Sequence, residues 1–359
     1  MQGLSERLEK LQLNSMEPDE IAELMALLSQ PRFRTQQVFA WLAKGVAPAG
    51  MTNLPSSLRE TLSELPYGSA DICAARRSQK DGTVKYLFEL CDGNLVEGVL
   101  MSYHYGNTLC LSTQVGCRMG CAFCASTLDG CVRDMTAGEM LQCVAEAERA
   151  NPPQGGGRGI TNAVLMGSGE PLDNYDNVVR FLRLVTSPDG FGMSSRNISL
   201  STCGIVDRID SLADDAPHVT LCISLHAPND ELRSSLMPIN KKYPLSEVLA
   251  AAARYAERTG RRVIFEYALI RGVNDGIVHV RELASRLKGI NCHVNLIPLN
   301  RVEERGLDGT PRARAYEIAS QLADMRISAS VRREMGSDIE GACGQLRRRT
   351  AHERLERKP

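Results

Sequence analysis

Charge of one sign is the first thing this sequence lacks. Its 42 Lys and Arg stand against 43 Asp and Glu, a net charge of −1, so the global balance gives no nucleic-acid signal. Long apolar runs are missing too, and none approaches the ~20 residues of a membrane span. The first residues, "MQGLSERLEKLQLNSMEPDE", hold no apolar leader core, so a cytoplasmic protein is expected. Repeats at solenoid spacing and low-complexity tracts are absent. Tryptophan occurs once, at Trp41, among Arg32, Arg34 and Lys44. That setting reads either as a nucleic-acid face or as the core anchor of a small helical domain.

Cysteine, by contrast, is plentiful: there are twelve. In a cytoplasmic enzyme that number points to metal or thiol chemistry before disulfides. Cys73, Cys91, Cys143, Cys222 and Cys292 lie in apolar or helical surroundings and are expected to be small core residues.

The chain divides by rhythm. Residues 1–75 read as a helical accessory domain. "EPDEIAELMALLS" has an acidic start and helical apolar spacing, "PRFRTQQVFAWLAKG" opens on Pro31 and closes on Gly45, and "TNLPSSLRETLSEL" follows. Residues 76–104 predict a β-hairpin connector, "GTVKYLFEL" and "NLVEGVLMSY" turning at Asp92-Gly93-Asn94. Residues 105–345 then repeat strand, loop and helix. The strands are "TLCLSTQ", "ITNAVLMG", "RNISLST", "VTLCISL", "RVIFEYALI" and "CHVNLIPL", with a possible seventh in "ISASVRR". Among the helices between them, "TAGEMLQCVAEAERA" has a capping box in Thr136 and Glu139, and "YPLSEVLAAAARYAERTG" stops at Gly260. Alternation of this kind predicts an α/β fold, a full or partial (β/α)6 barrel with its chemistry at the C-terminal strand ends. Residues 346–359 form a basic tail with Arg347, Arg348 and Arg349.

One motif carries the chemistry. "VGCRMGCAFCAS" places Cys117, Cys121 and Cys124 as C-x3-C-x2-C directly after the first barrel strand. Structural zinc wants four closed ligands, and no second pair is present. Three thiolates on one loop suit a [4Fe–4S] cluster with one iron left open, with Phe123 as a shield from solvent. At the ends of later strands lie Ser201, Ser224-Leu225-His226 and Asn300, polar positions able to hold a ribose or an adenine.

This spacing in this place resembles the radical S-adenosylmethionine (SAM) superfamily. The resemblance implies that the open iron chelates the amino and carboxylate groups of SAM and that one electron cleaves its sulfonium. "MGSGEPLDN", with Gly167, Gly169, Glu170 and Pro171, is similar to the superfamily's glycine-rich SAM motif. The likeness narrows further. "TLCLSTQVGCRMGCAFCAS", "SLHAPNDELRSSLMPINKKYPL", "FEYALIRGVND", "CHVNLIPLN" and "VRREMGSDIEGACGQL" together resemble the RlmN/Cfr family of RNA adenine methyltransferases. The likeness reaches back into "PRFRTQQVFAWLAKGV" and "MTNLPSSLRETL".

That family resemblance implies methylation at C2 of adenosine in 23S rRNA, at the peptidyl-transferase centre, and in tRNA beside the anticodon. It implies two SAM molecules per turnover. Cys343 would carry the methyl as an S-methylcysteine intermediate. Cys110 would be the resolving thiol, in a transient disulfide with Cys343, and Glu97 the proton acceptor. Cys343 needs activation, since a free thiol is only a few per cent ionised at neutral pH; Arg332 and Arg333 could help. Gly169, Glu170, Ser201, Ser224, Leu225, His226 and Asn300 would hold SAM. A one-electron donor such as flavodoxin or ferredoxin is implied, with no membrane and a monomeric state. Methylation at C8 is the alternative within the family, and a non-catalytic iron–sulfur RNA-binding protein or a zinc-stabilised scaffold are the alternatives outside it. Ser168, Cys203, Asp129 and Cys131 depart from the family pattern without touching a catalytic position. Lys241-Lys242, Arg261-Arg262, Arg347 to Arg349 and the N-terminal helices are the candidate RNA grips.

Overall fold

The computed structural model describes residues 11–153, 158–300, 303–339, 346–347 and 350. Three helices come first: α1 (Pro18–Leu27), α2 (Arg34–Leu42) and α3 (Ser56–Ser63). Pro18 opens α1, where a missing N–H costs nothing, and Glu17 and Glu20 close a reciprocal capping box. Strands β1 (Ala70–Arg77), β2 (Val84–Leu90), β3 (Leu95–Tyr103) and β4 (Gly106–Leu111) follow. A short ribbon, β5 (Gln114–Gly116) and β6 (Cys131–Asp134), stands apart from them.

The alternating part then runs α4 (Ala137–Ala150), β7 (Asn162–Leu165), α5 (Tyr175–Thr186), β8 (Ile198–Thr202), α6 (Val206–Asp215) and β9 (Thr220–Ser224). It continues through α7 (Asp230–Leu236), α8 (Leu245–Thr259), β10 (Val263–Leu269), α9 (Ile277–Leu287), β11 (Cys292–Pro298), α10 (Arg312–Asp324) and β12 (Ala329–Val331).

All strands except the β5–β6 ribbon join one ten-stranded sheet in the order β1-β2-β3-β4-β7-β8-β9-β10-β11-β12. From β4 to β12 every neighbour is parallel, as crossover helices require, which gives six βα units and a seventh strand in an open, partial barrel. From β1 to β4 the pairing is antiparallel. The hairpin expected from the sequence is present, turning on Gly93, and it continues the barrel's own sheet.

Two expectations fail around this hairpin. Its strands read as alternating, yet β2 and β3 are buried on almost every residue, because Lys85 and Glu97 turn inward and pair with each other. Cys73 and Cys91 are exposed, not core: Cys73 lies on the solvated edge strand β1 and Cys91 at the hairpin turn. Cys143 and Cys222 are buried as expected, and Cys292 is half-buried.

The main apolar core runs without a break from Leu13 through α1–α3 into the barrel helices and strands. Polar contacts seal the join. Asn14 donates to the carbonyls of Gly68 and Gly138, and Ser15 Oγ accepts the Gly138 amide at 2.8 Å. Arg180 on α5 pairs with Glu20 on α1. Trp41 is half-buried against this core, with its indole N–H donated to Asn53 at 2.6 Å.

Candidate active site

The cysteine loop hangs from the β5–β6 ribbon. Gly116 closes it with φ at +84°, and a Cβ there would collide with the Gly130 carbonyl, so only glycine fits. Beside it, the Cys117 amide donates to that same carbonyl at 2.9 Å. Inside the loop the Thr127 hydroxyl is within bonding distance of the Cys121 and Cys124 carbonyls, and Arg305 reaches Thr127 at 2.7 Å. The Ala122 amide donates to the Leu236 carbonyl, which ties the loop to the end of α7.

Cys121 lies in an apolar enclosure. Met119, Cys121 and Phe123 pack with Leu236, Met237, Ile270 and Cys203. Burial pushes the Cys117 thiol up to about 12 and raises Cys121 as well, with the charge of Cys124 adding to the penalty on both. Such thiols stay protonated unless a metal centre takes them as thiolates. Among the described residues no three His, Cys, Asp or Glu side chains are gathered tightly enough for a single ion. A cluster whose cysteines bind separate irons does not need that tight gathering, so the donor set fits it. Phe123 meets the His226 ring edge-on at 4.8 Å and forms part of the enclosure.

The glycine-rich loop after β7 packs on this region from the side. Gly169 has φ at +108°, and a Cβ would come within 2.7 Å of Gln114. Glu170 is fully enclosed. One of its oxygens accepts the Leu172 amide at 3.0 Å and the other the Cys203 amide at 2.7 Å, so it clasps the β7 loop to the β8 loop. Burial raises its pKa against the lowering effect of those amides. The Thr113, Ser126 and Ser168 hydroxyls near these loops are buried without a hydrogen-bond partner, as the wall of a ligand site is.

At the ends of β8 and β9, Ser201 and Ser224 face each other at 3.5 Å. Leu225 and His226 both donate their amides to the Glu266 carbonyl on β10. The Leu225 side chain lies in the core. His226 is left-handed, φ +57°, and its Nδ1 accepts the Ala268 amide at 2.9 Å. Burial, with Arg233 nearby, lowers its pKa to about 3, so the imidazole is neutral.

Arg233 is completely buried. It donates to the carbonyls of Leu225, Cys203 and Ser224 and to the Asn240 side chain, which locks the β8 and β9 ends together.

Two cavities of about 350 Å³ each open inside the barrel. The first is lined by Cys110, Val99, Asn300, Arg333 and Met335, and the second by Ser199, Cys222, Glu266 and Asn295. Arg332 and Met101 line both. Cys110, on β4, lies opposite Val99 of β3. Glu97, two residues along that strand, is buried against Lys85 at 3.2 Å and accepts the Arg347 amide at 2.7 Å. It is thus not an exposed strand carboxylate.

Cys343 lies outside the described residues. The residues flanking it are anchored on the β1–β2 turn and on strands β2 and β3. Asp338 accepts from Ser78 and the Gln79 amide, Asp81 accepts the Gly336 amide, and Leu346 is buried against Leu87 and Leu95. Arg347 is buried, which takes its side chain off the exposed RNA-facing surface expected of it; Arg348 and Arg349 lie outside the described residues.

The structure thus gathers Cys117, Cys121, Gly169, Glu170 and Cys203 around one loop cluster, and Cys110 with Asn300 around a cavity. Lys85, Arg233 and Glu266 also shape the site, from positions that no sequence motif marks. Only Glu266 carries a readable signal in the sequence, as the one charge within the apolar strand "VIFEYALI".

Comparison with known proteins agrees with this geometry. Residues 111–284 match the radical SAM superfamily. A protein of Alkaliphilus oremlandii named "Probable dual-specificity RNA methyltransferase RlmN" is 48% identical over 344 residues, 95% of this chain and 99% of the relative. Its namesake in Symbiobacterium thermophilum is 48% identical over 349 residues, covering 96% and 93%. A solved structure titled as a radical SAM methyltransferase from Sphaerobacter thermophilus superposes with a TM-score of 0.87 at 43% identity, covering 93% of this chain and 98% of that one.

Proposed function

This chain belongs to the RlmN family of radical SAM methyltransferases, and from that membership we propose that it methylates C2 of adenosine in 23S rRNA and tRNA through a methyl carried on Cys343. Cys117, Cys121 and Cys124 would hold a [4Fe–4S] cluster, and Gly169, Glu170, Ser201, the Ser224–His226 segment and Asn300 would surround SAM. When bound, the cluster and SAM together supply one-electron cleavage of a sulfonium.

The chain's own residues do the rest. The Cys343 thiolate takes a methyl from one SAM by displacement, and a second SAM serves the transfer step. Once the carbon is bonded to adenine, the Cys110 thiolate attacks the Cys343 sulfur. The carbon–sulfur bond breaks, a Cys110–Cys343 disulfide forms, Glu97 takes the C2 proton, and the released methylene carbon takes up a proton to become the methyl group. An outside donor of flavodoxin or ferredoxin type returns the electrons, and the enzyme works as a monomer. The target adenine must leave its stack at a cost of a few kcal/mol, offset by phosphate and 2′-OH contacts elsewhere on the RNA.

The observation that supports this most is the convergence on β3 and β4. Cys110 and Glu97 stand on these adjacent strands, and Glu97 accepts an amide four residues past Cys343. The test is anaerobic turnover with methyl-deuterated SAM on rRNA and tRNA fragments, followed by nucleoside mass spectrometry. Labelled 2-methyladenosine, absent with Cys343→Ala, is the expected result. Labelled 8-methyladenosine would move the protein to the family's other regiochemistry. Label in RNA from the Cys343→Ala variant would overturn the role of that thiol.

A further inference from the structure

We propose that Glu266 is a positioning residue that fixes the polarity of the SAM ribose site, by forcing the Ser201 hydroxyl to face its ligand as an acceptor; this rests on the reading of Ser201 as a SAM contact. Glu266 projects from β10 into the second barrel cavity and is only 6% exposed. Its Oε2 accepts from Ser201 Oγ at 2.7 Å, while Oε1 makes no hydrogen bond and lies 3.8 Å from the Arg332 guanidinium. Glu266 also holds the neighbouring ligand segment through its backbone, since its carbonyl accepts the Leu225 and His226 amides.

A carboxylate has no proton to give, so the direction of the Ser201 bond is not free. Ser201 spends its one proton on Glu266, and its lone pairs remain for a donor. Ser224, 3.5 Å away, sits beside the same lone pairs. The group that suits this pair is one that brings its own O–H, as the hydroxyls of a ribose do. Arg332 holds the other carboxylate oxygen on the far side, which keeps Oε2 turned toward Ser201.

Glu266→Gln is nearly isosteric and reverses the direction. Arg332 can only donate, so the amide carbonyl turns to it and the amide N–H turns to Ser201. Ser201 then accepts from Gln and points its own proton at the ligand, where a ribose hydroxyl must give up its donor role.

The test uses anaerobic, cluster-containing protein and isothermal titration with two nucleosides: 5′-deoxyadenosine and its 2′,3′-dideoxy counterpart. Neither carries the methionyl group, so neither depends on chelation by iron. Wild type is expected to prefer the hydroxylated ligand by about tenfold. Glu266→Gln is expected to lose that preference, through weaker 5′-deoxyadenosine binding and an unchanged dissociation constant for the dideoxy compound. Ser201→Ala should lose the same preference, and the double variant should add nothing further. Equal weakening of both ligands by Glu266→Gln, or a preference retained in either single variant, overturns the proposal alone. Wild type that binds neither nucleoside overturns it together with the ribose-site reading beneath it.

Discussion

His226 shows how much one side chain's setting decides. Its backbone is left-handed, and its Nδ1 acceptor role demands the neutral ring. The sign of the resulting linkage is fixed by burial. The unfolded chain binds a proton near pH 6.5 and the folded one only near 3, so stability is full above 6.5 and falls as pH drops from 6.5 toward 3. The loss is on the order of a few kcal/mol. Asparagine tolerates the left-handed region and also offers an acceptor. His226→Asn should therefore flatten the pH dependence of the urea midpoint between pH 6.5 and 4, and an unchanged slope would refute the assignment. Arg233 is the second decisive residue. Its four acceptors include three main-chain carbonyls at the strand ends, and lysine cannot reach them in a fixed fork. Arg233→Lys should cost about 3 kcal/mol, read as a shift in denaturation midpoint. Nothing in "DELRSSL" tells this arginine from a solvated one. Its role depends on carbonyls that only the folded strand ends bring together.

At the scale of elements, the loop that carries Cys117, Cys121 and Cys124 is positioned by its ribbon more than by its own residues. Gly116→Ala forces a Cβ against the Gly130 carbonyl at a positive φ. The expected outcome is less iron and sulfide per chain after anaerobic reconstitution, with a folded barrel by circular dichroism. The C-x3-C-x2-C spacing was legible in sequence because it is local. The β5–β6 pairing that frames it joins residues up to twenty apart and breaks register at Gly116, which no periodicity announces. The antiparallel strands teach a related lesson. Alternating polarity in "GTVKYLFEL" suggested one wet face, but the polar residues face another layer of protein and neutralise each other there. Lys85→Met leaves Glu97 buried without its cation and should cost about 3–5 kcal/mol. Lys85→Met combined with Glu97→Gln should regain most of that stability and still fail in turnover. Recovered turnover in the double variant would reduce Glu97 to a structural role.

For the whole molecule, the question is whether the N-terminal helices are a separable accessory or part of the barrel. Composition and rhythm suggested a boundary near residue 75. The apolar contacts cross it: Leu13, Phe39 and Leu62 belong to the same core as Val144 and Leu184. Asn14 would lose its bond to the Gly138 carbonyl, and Ser15 its bond from the Gly138 amide, if the helices detached, a cost of a few kcal/mol for the stranded polar groups alone. A chain joined this way should unfold as one unit. The single tryptophan makes the test direct, since Trp41 reports on α2 while far-ultraviolet circular dichroism is dominated by the barrel. The urea transitions from Trp41 fluorescence and from circular dichroism should coincide in midpoint and slope. A fluorescence transition at clearly lower urea, with the dichroism signal intact, would mean that the helices come away first, and the shared core would then be contributing less than its burial implies.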